Sequence, residues 1–289
     1  GPKMKWLLDR APSGHRVRLG TIDAWLIHCL TGGAVHACDA ANAARSQLLD
    51  LGRMEWSDEL CALFGIPKAA LPELRDSAAR FGETRGVAGL PDGIPICAAI
   101  GDSHAALFGH RAFHSGDGKV TFGTGSSIMM ALQGFIAPQQ GITTTIAWSI
   151  NGRPTYAFEG NILVSAASLP WMAELMGLPD VQALTDLAMT AEPGGPGFVP
   201  AFVGLGAPYW QADARALFSG VTFNTTRAQM ARAVTDSMAF QVHDVLAAMM
   251  AQSPAPLGRL YADGGPSKNL FLMQSVADMI DHPLIQCDA

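Results

Sequence analysis

The chain has little charge, few candidate metal ligands and no long apolar run, and each shortage removes a class of protein. Only 15% of its 289 residues are charged, and the net charge of -6 offers no general attraction for nucleic acid or anionic membranes. No stretch approaches the ~20 apolar residues of a membrane span. The opening GPKMKWLLDR lacks the long apolar stretch of a signal peptide, so the cytoplasm follows by default. Cys29, Cys38, Cys61, Cys97 and Cys287 are odd in number, scattered and mostly in apolar surroundings. They read as reduced core thiols, not as a disulfide framework or a metal set. The eight histidines include no HExxH pair, and His110 and His114 read as surface or packing residues where a helix runs out. What is plentiful is apolar material, 49% of the chain, over a length that suits two domains.

Candidate chemistry gathers between Ile94 and Met130. Residues 94–100 are almost wholly apolar, as in a strand buried on both faces, and stop at Gly101 and Asp102. Helical spacing predicts a helix over 103–109, with Asp102 or Ser103 capping its first amides. A second strand over 119–122 runs into Gly123-Thr124-Gly125-Ser126-Ser127, where glycines let backbone amides approach an anion. Phosphoryl transfer needs a carboxylate to accept the attacking hydroxyl's proton and donors around the phosphates. Asp102 suits the first role and residues 123–127 the second. Each alone also has an ordinary reading, a helix N-cap for Asp102 and a hairpin turn for GTGSS.

Elsewhere the punctuation predicts a helix over 22–30 capped by Thr21 and closed by Gly32-Gly33, and another over 58–64 capped by Ser57 and closed by Gly65. Residues 35–49 fit either a helix or a loop leading to a strand. Strands over 126–132, 142–150 and 155–158, with Asn151-Gly152 as a turn, predict an antiparallel meander. A long helix over 227–251 carries an apolar stripe at Met230, Val234, Met238 and Val245. After it a strand ends at Asp263-Gly264-Gly265 and a helix starts near Ser267, a good place for a nucleotide on backbone amides.

Six ordered pieces carry a resemblance: Lys3-Met4-Lys5-Trp6, Gly101-Asp102, Phe122-Gly123-Thr124-Gly125, Phe158-Glu159-Gly160, the run Gly204 to Trp210, and Asp263-Gly264-Gly265 with Asn269. Together, over essentially the whole chain, they resemble the FGGY carbohydrate kinases, with the glycerol kinase branch the nearest. The resemblance implies an α/β actin-like ATPase fold of two ribonuclease-H-like domains with a catalytic cleft between them, the first domain incomplete. It implies the end of the first domain at 1–112 and a second, truncated domain at 117–289. It also implies ATP with Mg2+, a small polyol or sugar as acceptor, and no nucleic-acid or membrane partner, with homo-oligomerisation left open. Asp102 becomes the base, and Ser103 and His104 its substrate-side neighbours. Gly123, Thr124 and Gly125 become the phosphate loop; Gly264, Gly265 and Asn269 face the adenosine, and the Gly160 region lines the nucleotide side. No residue is assigned as a metal ligand. Trp6 keeps a structural reading as its helix's anchor, Glu159 stays open between local capping or bonding at a strand end and a direct catalytic part, and the loop from Gly204 to Trp210 fixes the lobe interface more than it touches substrate.

Departures from the family pattern carry information of their own. Ser103-His104 stands where glycerol kinases have a polyol-binding Gln, and Ser127 where they place an aromatic on the glycerol carbons. A smaller, more polar wall implies a bulkier or more hydroxylated acceptor, such as a tetritol, pentitol or ketose. Ala166 and Pro170 stand where Gly and Gln usually contact nucleotide, and Pro170 brings no amide donor. The family's opening phosphate hairpin has no counterpart here, so the expectation is an interior piece of a longer kinase that is weakly stable and inactive alone. The alternative from another class is a nucleotide- or sugar-binding module without chemistry.

Overall fold

The structure, a computed structural model, describes residues 1–12, 14, 17–139 and 141–287. The chain groups into two units: Gly1–Phe108, Gln133–Phe135 and Thr145–Ala157 make the first, and Gly109–Leu132, Ile136–Thr144 and Phe158–Ala289 the second. Among the described residues no helix is long and apolar enough to cross a membrane.

Capping residues delimit the first unit. Helix α1 (Pro2–Leu8) starts on a proline, whose fixed φ suits a first helical turn. Trp6 does not anchor it: the ring is 56% exposed, with the Arg10 guanidinium 4.0 Å over its face. Helix α2 (Ile22–Leu30) ends at Gly32 and Gly33, both at positive φ, although the Thr21 side chain makes no cap bond. The ambiguous stretch after it resolves into β1 (Ala37–Asp39), the short helix α3 (Ala40–Ala44) and β2 (Leu49–Asp50). Asp39 forces the switch, because its buried carboxylate accepts the Ala41 and Asn42 N–H groups at 3.1 and 2.8 Å. Strand β3 (Glu55–Trp56) pairs with β2, and α4 (Asp58–Phe64) follows with the Ser57 cap and left-handed Gly65 that the sequence predicts. Strand β4 (Glu73–Arg75) lies parallel to β1. Ile27, Ala37 and Phe81 form a buried cluster with Val35, Ala79, Ile96 and Ala99 packed against it.

The strand expected over 94–100 shrinks to β6 (Pro95–Ile96), paired with β5 (Gly82–Glu83). Pro95 supplies no ladder donor, and Ile94 is 41% exposed, so this run is not buried on both faces. Cys97 is exposed for the same reason, and Cys29 is exposed on α2, whereas Cys38 and Cys61 are buried as expected. Helix α5 (Asp102–Gly109) closes the run.

The second unit is built on β7 (Gly118–Phe122), β8 (Ser126–Leu132), β9 (Thr143–Ile150) and β10 (Arg153–Ile162), the middle of the β9–β10 hairpin grouping with the first unit. Helices α6 (Ser168–Leu175) and α7 (Val181–Met189), the strand pair β11 (Gly197–Val199) and β12 (Leu217–Ser219), and helix α8 (Arg227–Met250) follow. The chain then runs through β13 (Leu260–Asp263), α9 (Leu270–Ile280) and β14 (Leu284–Gln286).

Six strands form one sheet in the order β14-β13-β7-β8-β10-β9, with β13 parallel to both β7 and β14 and β7 antiparallel to β8. Asn151 and Gly152, both at positive φ, make the predicted turn between β9 and β10. The consecutive meander does not form, because β8 neighbours β10 and leaves β9 at the edge. Along β10, a Cβ on Gly160 would lie 2.4 Å from Val245 Cγ1, so this bare stretch of strand lies directly under α8. Gly160 therefore serves helix-on-sheet packing. Helix α8 starts with a Thr226–Gln229 capping box and buries Val234, Met238, Val242, Val245 and Met249 along one stripe.

Candidate active site

Asp102 is the first residue of α5, directly after the short β6 segment and Gly101. Its carboxylate is exposed and accepts the Ser103 N–H at 2.6 Å, so the local capping role and an outward-facing carboxylate coexist. Ser103 is half-buried. His104 is buried with Nδ1 3.2 Å from where a Gly101 Cβ would stand, so the imidazole packs under the turn. Behind Gly101 lies Asn42, whose Nδ2 donates to Asp39 Oδ1 at 2.6 Å. The Ser77 hydroxyl donates to Asp39 Oδ2 at 2.8 Å. Burial raises the Asp39 pKa, and these hydrogen bonds oppose the rise.

In the second unit, Gly123, Thr124 and Gly125 are the three-residue turn of the β7–β8 hairpin, between the paired Phe122 and Ser126. The hairpin reading is thus correct as geometry. The Gly123 N–H is used inside the turn, donating to Gly125 O at 2.8 Å. A Cβ on Gly125 would lie 2.3 Å from Ile162 O, so glycine is required there to let the turn rest on the end of β10. The Ser165 N–H donates to Thr124 O at 2.8 Å and the Ala166 N–H to Gly123 O at 3.2 Å, which fixes the loop after β10 beside the turn.

The strand-end motif of β13 sits against the same turn. Gly264 has φ of +91°, and a Cβ on it would lie 2.0 Å from Phe122 O. Gly265, by contrast, is exposed, and a Cβ there would meet nothing within 4 Å. Asn269 caps α9 by accepting the Leu272 N–H at 3.2 Å, and its Nδ2 donates to Thr185 Oγ1 at 3.3 Å. The helix therefore begins after Asn269, with a single turn of 3-10 helix over Gly265–Lys268 before it. A cavity of about 410 Å³ opens here, lined by Ala166 and Leu169 on one side, Val181 and Gln182 on another, and Gly265, Lys268 and Asn269 on a third. The structure thus brings Gly123, Thr124, Gly125, Gly264, Gly265 and Asn269 into one region of the second unit. Pro170 is exposed on α6.

Some expectations fall elsewhere. Glu159 lies inside β10, buried, and not at a strand end. The loop from Gly204 to Trp210 bonds within the second unit: Trp210 Nε1 donates to Gly141 O at 2.9 Å and the Tyr209 hydroxyl to Asp244 at 2.7 Å. Sequence reading also misses a pair. His110 Nε2 lies 2.7 Å from Asp263 Oδ2, and the ring stacks on Tyr261 with 5.2 Å between centroids. Residues so far apart in the chain leave no spacing signal to find.

Residues 1–109 match the N-terminal domain, and 118–288 the C-terminal domain, of the FGGY family of carbohydrate kinases. The chain belongs to that family and has its actin-like ATPase fold. It is 42% identical to a glycerol kinase of Myxococcus xanthus, over 99% of this chain and 60% of that protein. It is 45% identical to an apulose kinase of Pectobacterium atrosepticum, over 93% of this chain and 54% of that one. The crystal structure of Plasmodium falciparum glycerol kinase with ADP superposes with a TM-score of 0.90 at 32% identity, covering 99% of this chain and 59% of that chain. The chain thus spans 54–60% of the length of these curated relatives.

Proposed function

We propose that the chain serves an ATP-dependent kinase that phosphorylates a hydroxyl of a polyol or sugar. In this reading the Asp102 carboxylate takes the hydroxyl proton as that oxygen attacks the γ-phosphorus, and the bond to the β-phosphate oxygen breaks to release ADP. Gly123, Thr124 and Gly125 form the phosphate loop, and Gly264, Gly265 and Asn269 face the adenosine. Magnesium enters with the nucleotide as part of the MgATP substrate. Ser103 and His104 stand beside the acceptor, the two kinase domains divide between residues 112 and 117, and the enzyme works in the cytoplasm.

The observation that carries this reading is the convergence, in the second unit, of the glycine hairpin and the Gly264 turn beside a cavity edged by Gly265 and Asn269. Family membership and the ADP named for the Plasmodium falciparum structure support a nucleotide there. Ser127, half-buried on β8 opposite Thr121, supports an acceptor larger than glycerol, and so does the similarity to a protein named apulose kinase. The test uses the natural full-length protein with ATP and a panel of polyols and ketoses. At least one acceptor should be phosphorylated, and Asp102→Asn should lower turnover by about 10²–10⁴ with nucleotide binding retained. Nucleotide binding without transfer to any acceptor would favour a non-catalytic module instead.

A further inference from the structure

We infer that His110 is a positioning residue for nucleotide binding, acting through Asp263 on the Gly264 and Gly265 turn; this rests on the kinase reading above. Asp263 is the last residue of β13, paired in register with Thr121 of β7. Its carboxylate is only 13% exposed and lies 2.7 Å from His110 Nε2, itself on a side chain 15% exposed. A carboxylate accepts, so Nε2 carries the hydrogen and donates to Oδ2. The imidazole is held from a second direction, stacked on Tyr261 at an interplanar angle of 9°. Both partners of the stack and the bond, Tyr261 and Asp263, stand on the same face of β13, two residues apart.

The position of this pair gives it a task. Asp263 is followed at once by Gly264, whose backbone is pressed on Phe122 O, and then by Gly265 on the edge of the cavity. A triphosphate is strongly anionic, and a carboxylate two residues from a cavity-lining glycine is an unfavourable neighbour unless it is tied back. The His110 bond ties it back in a half-dry setting, where a hydrogen bond to a charged group is strong. Removing the imidazole would leave a poorly hydrated carboxylate free to turn toward the phosphates. The cost should therefore fall on the charged part of the nucleotide and spare the nucleoside.

The experiment measures ADP and adenosine affinity by calorimetry in the full-length protein, for wild type, His110→Ala, His110→Gln and the double variant His110→Ala with Asp263→Asn. Expected is about tenfold or greater loss of ADP affinity in His110→Ala, the scale of a lost hydrogen bond to a charge. Adenosine should change by less than about threefold. Gln, which keeps a donor, and the double variant, which removes the stray charge, should each recover most of the loss. Unchanged ADP affinity in His110→Ala would overturn the inference, as would equal losses for ADP and adenosine or no recovery in the double variant. If His110→Ala fails to fold, His110→Gln and the double variant still decide it, by binding ADP as wild type or not. Wild type that binds no ADP at all would defeat the kinase reading itself and this inference with it.

Discussion

Two adjacent glycines, Gly264 and Gly265, should answer opposite questions when each is changed to alanine. At Gly264 the backbone has φ of 91° and ψ of 168°, a region that side-chain-bearing residues avoid, at a cost of about 1–3 kcal/mol. The added Cβ would also lie 2.0 Å from Phe122 O and 3.0 Å from Phe122 C, backbone atoms that no rotamer change can move. Relieving that overlap means spreading β13 from the end of β7, for about another 1–3 kcal/mol. The sum, about 2–6 kcal/mol, is a large part of the roughly 5–15 kcal/mol that holds an ordinary protein folded. Gly265 has ordinary φ and open space around its Cβ position, so Gly265→Ala should leave stability within about 1 kcal/mol of wild type. Its added methyl enters the cavity edge, so it should weaken ADP while the fold stays intact. Urea unfolding and ADP titration of both variants check this. Gly264→Ala as stable as wild type would refute the close-approach argument, and Gly265→Ala with unchanged ADP affinity would remove the nucleotide from that edge.

Two further outcomes follow from burial and charge. Burial alone would raise the Asp117 pKa, but the Arg259 guanidinium and the Arg259 and His114 N–H groups outweigh it and hold it below the usual 3.8. Asp117→Asn should therefore cost about 1.5–3 kcal/mol at neutral pH. A lowered carboxylate contributes fully above 3.8 and loses that contribution as pH falls through its folded value, so the gap between wild type and variant should close below 3.8. A gap that is constant from pH 7 to 3 in denaturant titrations would contradict the ion pair's role. Among the thiols, the exposed Cys29 and Cys97 should react with a colourless-to-yellow disulfide reagent in the native protein. Buried Cys61, and Cys38, whose pKa burial drives far upward, should react only on unfolding. Fast labelling of Cys38 in peptide mapping would count against this packing.

What the sequence makes legible here is local punctuation. Ser57, Gly65, Asn151 and Gly152 each impose a backbone choice on their own neighbours, so α4 and the β9–β10 turn stand where spacing places them. The glycine motifs are legible for the same reason, since close approach leaves a bare residue behind. Strand order is not local: β8 meets β10 and not β9, and Gly160 packs against Val245 of α8, pairings that no periodicity announces. Residues 94–100 show the converse error, an apolar run taken as doubly buried although burial depends on what packs over it. Within the candidate site, Asp102, Gly123, Gly125 and Gly264 are readable as residue types at strand ends. The His110–Asp263 bond joins residues 153 positions apart, so only the folded chain reveals it.

The most direct measurement is a crystal structure of the protein soaked with ADP. The account predicts adenosine density in the cavity bounded by Ala166, Leu169, Gly265 and Asn269, with the phosphates running toward the turn of Gly123, Thr124 and Gly125. ADP bound at any other place on the chain, with that cavity still filled by solvent, would contradict it.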